Sequence, residues 1–179
     1  MTEIRVKIPL EGISTGESEM SVHAVSTLYD LWQDHVHYRT QAELTRQNGT
    51  ELEFAREIRS SILAFFSYFD GVLNLWINKI NPNVPLHKTG FTSKLRLIRE
   101  HIDDRTKCRF LDLGSARNVR NSLSHPTPGQ SEFNVSQYVK SGDFLDDSQE
   151  MEKWLKNASS ALGWECHADV PGLLKKLSQ

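Results

Sequence analysis

The chain has 179 residues, one domain's worth and long enough to bury a sizeable core. With 38% apolar and 25% charged residues it falls within the range of soluble globular proteins. A net charge of −2 and a pI near 6.4 exclude a global basic field that would draw nucleic acid, so any such contact must come from a local cleft.

The first nine residues, Met1 to Pro9, lack the apolar run of a signal peptide, which sets the expectation of a cytoplasmic protein. Cys108 and Cys166 stand alone, with neither a metal-ligand spacing nor a disulfide framework, as suits a reducing compartment. The sequons at Asn48, Asn134 and Asn157 mean nothing without secretion. Ile4, Val6 and Ile8 alternate with charged residues and stop at Pro9, the pattern of a short strand. With the Gly/Ser-rich stretch from Glu11 to Ser18 this predicts an N-terminal arm over 1–18, ahead of a single helical domain over 19–179.

A helix is predicted from about Glu19 to Gln47, with Val22, Val25, Leu28, Trp32 and Val36 on one side. Thr50, with Glu53 three residues on, makes a capping box for a second helix from Glu51 to Ile80. In that helix Ala55, Ile58, Ile62, Phe65, Phe66, Phe69, Val72, Leu73, Trp76 and Ile80 recur at helical spacing. About 20 apolar residues suffice to span a bilayer, so Ser61 to Ile80 raises a transmembrane reading. Asp70, Asn74 and Asn78 stand four apart and oppose it, because a carboxylate and two amides are costly in lipid. The expectation is a core helix and no membrane contact.

Asn81 to Gly90 is a loop by composition. Thr92 or Ser93 opens a short helix to about Arg105, packing through Leu95, Leu97, Ile98 and Ile102. The next helix runs from about Leu111 to His125 and is stopped by Pro126-Thr-Pro-Gly129. Phe133, Val135 and Tyr138 fit a strand or an ordered loop, so a small irregular or β segment is expected at 131–144. Asp146 or Asp147 starts a helix through about Leu162, and Val170 to Leu177 closes the chain. The fold class expected is all-α, an up-and-down helical bundle after a short β arm.

The stretch Ser115-Ala-Arg-Asn-Val-Arg-Asn-Ser-Leu-Ser-His-Pro126 concentrates polar chemistry at the end of a helix. Each helical residue advances about 100°. With Arg117 at zero, Asn121 falls at about 40°, His125 at about 80°, Ser124 at about 340° and Arg120 at about 300°. Ala116, Val119 and Leu123 lie opposite. Such a helix packs one face and offers a cationic, imidazole-bearing front to an anion.

Arg120-Asn121-Ser-Leu-Ser-His125 resembles the R-N-x-x-x-H form of the motif in HEPN domains, small helical bundles that include many metal-independent ribonucleases of toxin–antitoxin, abortive-infection and CRISPR-associated systems. The spacing alone does not distinguish it, since Arg96-Leu-Ile-Arg-Glu-His101 has the same gap; the Asn directly after the Arg does. The resemblance implies an endoribonuclease acting as a toxin or in host defence, with catalytic Arg120, His125 and Asn121 and with Arg117, Asn118 and Ser124 against flanking substrate. It implies no cofactor and no metal. It also implies an RNA substrate, a homodimer in which two motifs face each other across a cleft, and an antitoxin or defence-system partner. Such toxins paired with nucleotidyltransferase antitoxins often carry a Tyr two residues after the motif His; Thr127 stands there instead.

The residue types suit that chemistry. Cutting RNA without a metal uses the neighbouring 2′-OH, which needs a proton acceptor and donor near neutral pH and a cation beside the phosphorane. Histidine titrates nearest neutrality, and arginine offers a permanent planar fork of donors to phosphate oxygens. Asn121 can orient the imidazole or the scissile phosphate.

Other readings of the same residues stand beside this one. The chain can be a non-catalytic HEPN-like module for binding or dimerisation, or an unrelated helical interaction protein with a chance motif. His125, before Pro126, can simply favour the C-terminal helix dipole, with Arg117 and Arg120 as solvated charges. His35 and His37 diverge by about 200° on a helix, which does not suit a metal pair. Trp164-Glu-Cys166-His167 lacks partner ligands, Lys175-Lys176 is a solvated tail, and Phe65, Phe66, Phe69 and Trp76 read as core rather than a base-stacking platform.

Overall fold

A computed structural model describes residues 15–106, 115–124 and 132–163, with side chains over 27–106, 119–124 and 137–163. The arm around Ile4 to Ile8 and the closing helix expected at 170–177 lie outside the described residues. Among the described residues there is no strand. The chain forms α1 (Thr15–Asn48), α2 (Glu51–Ile80), α3 (Phe91–His101), α4 (Ser115–Ser124), α5 (Glu132–Ser141) and α6 (Asp143–Ala161), with one 3₁₀ turn at Leu86–Lys88.

The start of α2 has a clear local cause. At the head of α2 the Thr50 hydroxyl accepts from the Glu53 backbone N–H at 3.2 Å, while Glu53 Oε2 accepts from the Thr50 N–H at 2.8 Å. That is the reciprocal capping box expected from the sequence, and it fixes the turn between α1 and α2. α1 begins at Thr15, four residues before the expected start at Glu19. Its buried seam also differs from the expected one. Leu28, His35 and Ala42, seven apart, are buried, whereas Trp32 and Val36 are half-buried.

Within the segment expected to be β or irregular at 131–144, the described residues 132–144 are helical: α5 fills most of them and α6 opens at Asp143. Adjacent Tyr138 and Val139 are both buried, which a strand with one solvated face would not give and a helix face allows. The link between the two helices is Gly142 alone. Its φ of 74° is one that residues with a Cβ rarely adopt, and a Cβ there would sit 3.2 Å from the Phe54 ring. This tight joint is why the predicted start at Asp146 or Asp147 falls too late.

Each of the other described α-helices packs against α2. Its apolar side carries Ile58, Ile62, Phe65, Phe69, Leu73 and Trp76, none of which has exposed surface. Phe65 meets Phe66 edge-on at 6.3 Å, and Phe69 and Trp76 reach Trp154 of α6 at 5.8 and 6.4 Å. Among the described helices α2 alone is long and apolar enough to cross a membrane, and its apolar side is covered by protein. On one flank Gly71 lets α1 approach closely, since a Cβ would lie 2.4 Å from Leu28 Cδ2. On the other, Asp70 takes both its carboxylate oxygens to Lys94 Nζ of α3, at 2.9 and 3.0 Å. The polar stripe read in α2 thus begins with an anchor for α3.

Candidate functional site

The site helix is α4. Val119 is buried and Leu123 is half-buried against the core, so the apolar back packs as the sequence pattern demands, between α2 and α5. The opposite side keeps contact with solvent: Arg120, Asn121 and Ser122 are half-buried and Ser124 is exposed. Arg120 Nη1 donates to Asn121 Oδ1 at 3.1 Å. Neighbouring helical residues point about 100° apart, so this bond draws the guanidinium round the helix toward the Asn121 side. Among the described residues no carboxylate is paired with Arg120. Four of the five guanidinium N–H donors then remain for an anion.

The sequence candidates fall into three groups. Arg120 and Asn121 are joined, and Ser124 lies one turn beyond Arg120 on exposed surface. Arg117 and Asn118 belong to α4, with their side chains outside the described set. His125 lies outside the described residues. The decoy pair resolves differently: Arg96 is turned to Glu100 at 3.6 Å, and both it and His101 are exposed.

A second polar cluster was missed by sequence reasoning, and it is buried. His35 has no exposed surface; its Nδ1 lies 2.9 Å from Ser61 Oγ of α2 and its Nε2 3.3 Å from Glu152 Oε1 of α6. Arg39 pairs with the same Glu152 oxygen. A carboxylate at Nε2 favours the proton there, and Nδ1 then accepts from the Ser61 hydroxyl, which also lies 3.4 Å from the His35 carbonyl oxygen. Burial pushes the imidazole below its ordinary value, and the Glu152 hydrogen bond opposes that shift. Ser61, His35 and Glu152 reproduce the atom types of a hydrolytic triad. Both Ser61 and His35 have no accessible surface, however, so no substrate reaches the hydroxyl. The only sequence signal for this cluster is that His35 occupies the heptad position between Leu28 and Ala42.

His37, by contrast, is exposed beside Tyr38, and among the described residues no group of three His, Cys, Asp or Glu side chains is placed to hold a metal. A groove of about 680 Å³ runs between Ile102–Thr106 and α6, with Arg105 and Lys153 set against Asp103 and Glu150. Its wall is structural: Trp154 Nε1 donates to Asp104 Oδ2 at 2.9 Å, and Arg99 Nε meets the same oxygen at 3.2 Å. Mixed charge and no imidazole or thiol among the described lining residues give it no evident chemistry. Compared with protein-family models, with curated proteins and with solved structures, the chain matches none of them, and the functional reading rests on the residues of α4.

Proposed function

We propose that this protein is a metal-independent endoribonuclease of the HEPN type, acting as a toxin or in host defence in the cytoplasm. The observation that carries the reading is the Arg120–Asn121 pair: a guanidinium held by an amide, with no carboxylate partner among the described residues, on the half-exposed side of a helix whose back is buried. A permanently charged planar donor kept free of acids is what a phosphodiester requires.

In this mechanism the 2′-oxygen attacks the adjacent phosphorus as its proton passes to a base, and the P–O5′ bond breaks as the leaving oxygen takes up a proton. His125 serves as the general acid/base. Arg120 neutralises the charge that builds on the non-bridging oxygens. Asn121 Oδ1 is engaged by Arg120, so its role is to aim that guanidinium, with its NH₂ left to donate to the phosphate. Arg117, Asn118 and Ser124 bind flanking nucleotides. Products end in a 2′,3′-cyclic phosphate and a 5′-OH.

A single helix offers few cations, and the chain's net charge is −2. A homodimer bringing two α4 helices to one cleft doubles the arginines and histidines facing the strand, which meets the electrostatic need of RNA binding. The helical-bundle arrangement of HEPN domains is part of the same proposal.

The test is induction of wild type beside His125→Ala at matched expression, with growth and RNA integrity followed. Arrest with fragments ending in cyclic phosphate, abolished by the substitution, supports the enzyme. Equal and harmless behaviour of both, in cells and with purified dimer on RNA, sinks it and favours a non-catalytic binding module.

A further inference from the structure

The polar cluster around His35 ties together three helices and has an unusual charge count. The ring is enclosed by Trp32 of its own helix at 5.6 Å, Phe65 of α2 at 4.7 Å and Phe144 of α6 at 6.1 Å. Two charged groups face it: Arg39, one turn on in α1, and Glu152 of α6. From α2 it receives the Ser61 hydroxyl; Glu57, one turn before Ser61, is held by Arg56 at 2.8 Å. On α6, Asp147 accepts the Tyr138 hydroxyl of α5 at 2.7 Å.

With a neutral imidazole, Arg39 and Glu152 cancel and every polar atom of the ring has a partner. A proton added to the ring leaves a net positive charge among apolar walls, and Glu152, shared with Arg39, offsets only part of it. The strain falls where Glu152 of α6 meets His35 and Arg39 of α1. α1 and α2 pair along much of their length, whereas α6 is held on α2 by buried side chains, Phe144, Met151, Trp154 and Leu155, and its ionic tie to α1 is Glu152 against His35 and Arg39. We propose that His35 is a pH-sensitive latch: neutral, it clamps α6 to the α1/α2 hairpin, and its protonation in mildly acidic conditions releases α6 while the hairpin stays paired.

The direction agrees with the depressed proton affinity that burial gives this imidazole. The folded state binds that proton less well than the unfolded chain, so the clamp is complete above the ordinary histidine value of about 6.5 and is lost as pH falls below it. Release of α6 also withdraws Asp147 from Tyr138, loosening α5, which packs on α4. The latch holds whatever chemistry α4 performs.

Hydrogen–deuterium exchange of the full chain, normalised to intrinsic rates, tests it between about pH 7.5 and about pH 5. Protection of the amides in α6 is expected to fall at least about tenfold while that of α2 is kept. His35→Gln, which can accept from Ser61 and donate to Glu152 but does not titrate, is expected to flatten the response. Unchanged α6 protection in wild type, an equal loss in His35→Gln, or concerted loss from α2 overturns the latch. Should His35→Gln fail to fold, an NMR titration of the wild-type imidazole decides. A ring that titrates in step with α6 exchange supports the proposal; one that titrates with α6 still protected refutes it.

Discussion

His35 and Arg120 each belong to a hydrogen-bonded polar group on a helix that packs against α2, yet the two groups lie at different depths. His35 has no accessible surface, and its hydrogen-bonding atoms are used by Ser61 and Glu152. Arg120 is half-buried, is held by one neighbour, and keeps donors to spare. A buried polar group must be satisfied to be tolerated, so its residues are spent on the fold. A half-exposed cation held by a neutral amide costs little to the fold and remains available to a ligand. Depth, more than residue type, separates the two: a Ser-His-Glu cluster is structural here, and an Arg-Asn pair carries the functional proposal.

The sharpest way to break this contrast is a double dissociation. Arg120→Ala is expected to lower RNA cleavage about 10²- to 10³-fold, the loss seen when one preorganised transition-state donor is removed. Its unfolding free energy should change by less than about 1 kcal/mol, since only a half-buried stem is lost. His35→Ala is expected to do the reverse. It opens a cavity beside Phe65 and strips Ser61 and Glu152 of a partner, a loss of about 3 kcal/mol with cleavage per folded molecule unchanged. Denaturant titration and single-turnover cleavage, run on both variants, read the two axes. A His35→Ala protein of wild-type stability, or an Arg120→Ala protein that cleaves normally, removes the distinction.

Asp70→Asn probes a case between these extremes. It leaves Lys94, which is 5% exposed, without its carboxylate. Breaking a fully buried pair costs 3–5 kcal/mol on the order-of-magnitude scale. Because the Asp70 side chain keeps 31% of its surface, a loss of about 2 kcal/mol is expected, read by thermal or urea unfolding. Cleavage should persist, as Asp70 serves the anchoring of α3.

How much of this was legible beforehand follows the range of the signals. The start of α2 and its core residues were readable because Thr50 and Glu53 are three apart and the apolar spacing is regular. Arg120 and Asn121 were readable as adjacent residues on a polar face. Their mutual hydrogen bond was not, since the reading assigned Asn121 to the imidazole or the phosphate. The α5 region was misread because Phe133, Val135 and Tyr138 mimic a strand, while the buried neighbours Tyr138 and Val139 that reveal a helix are only visible once packed. His35 was missed because its partners Ser61 and Glu152 lie 26 and 117 residues away, and no local pattern encodes such pairing. His125, proposed as the general acid/base, belongs to the motif but not to the described residues.

The smallest effect is the most discriminating for the proposed site. If Asn121 acts by aiming Arg120, Asn121→Ala frees the guanidinium to sample other rotamers and is expected to cost about tenfold in kcat, with KM little changed, since aim matters most where charge develops. Asn121→Asp keeps an acceptor at the same place, and a stronger one, so Arg120 stays aimed while a negative charge is set beside the phosphate. That variant should therefore raise KM, steeply at low salt and less as salt screens the repulsion. A residue that merely stabilises α4 would give neither pattern, because both variants would unfold earlier and cleave at wild-type rates when folded. An Asn121→Ala enzyme with normal kcat separates Asn121 from Arg120 and returns it to the exposed surface of the helix.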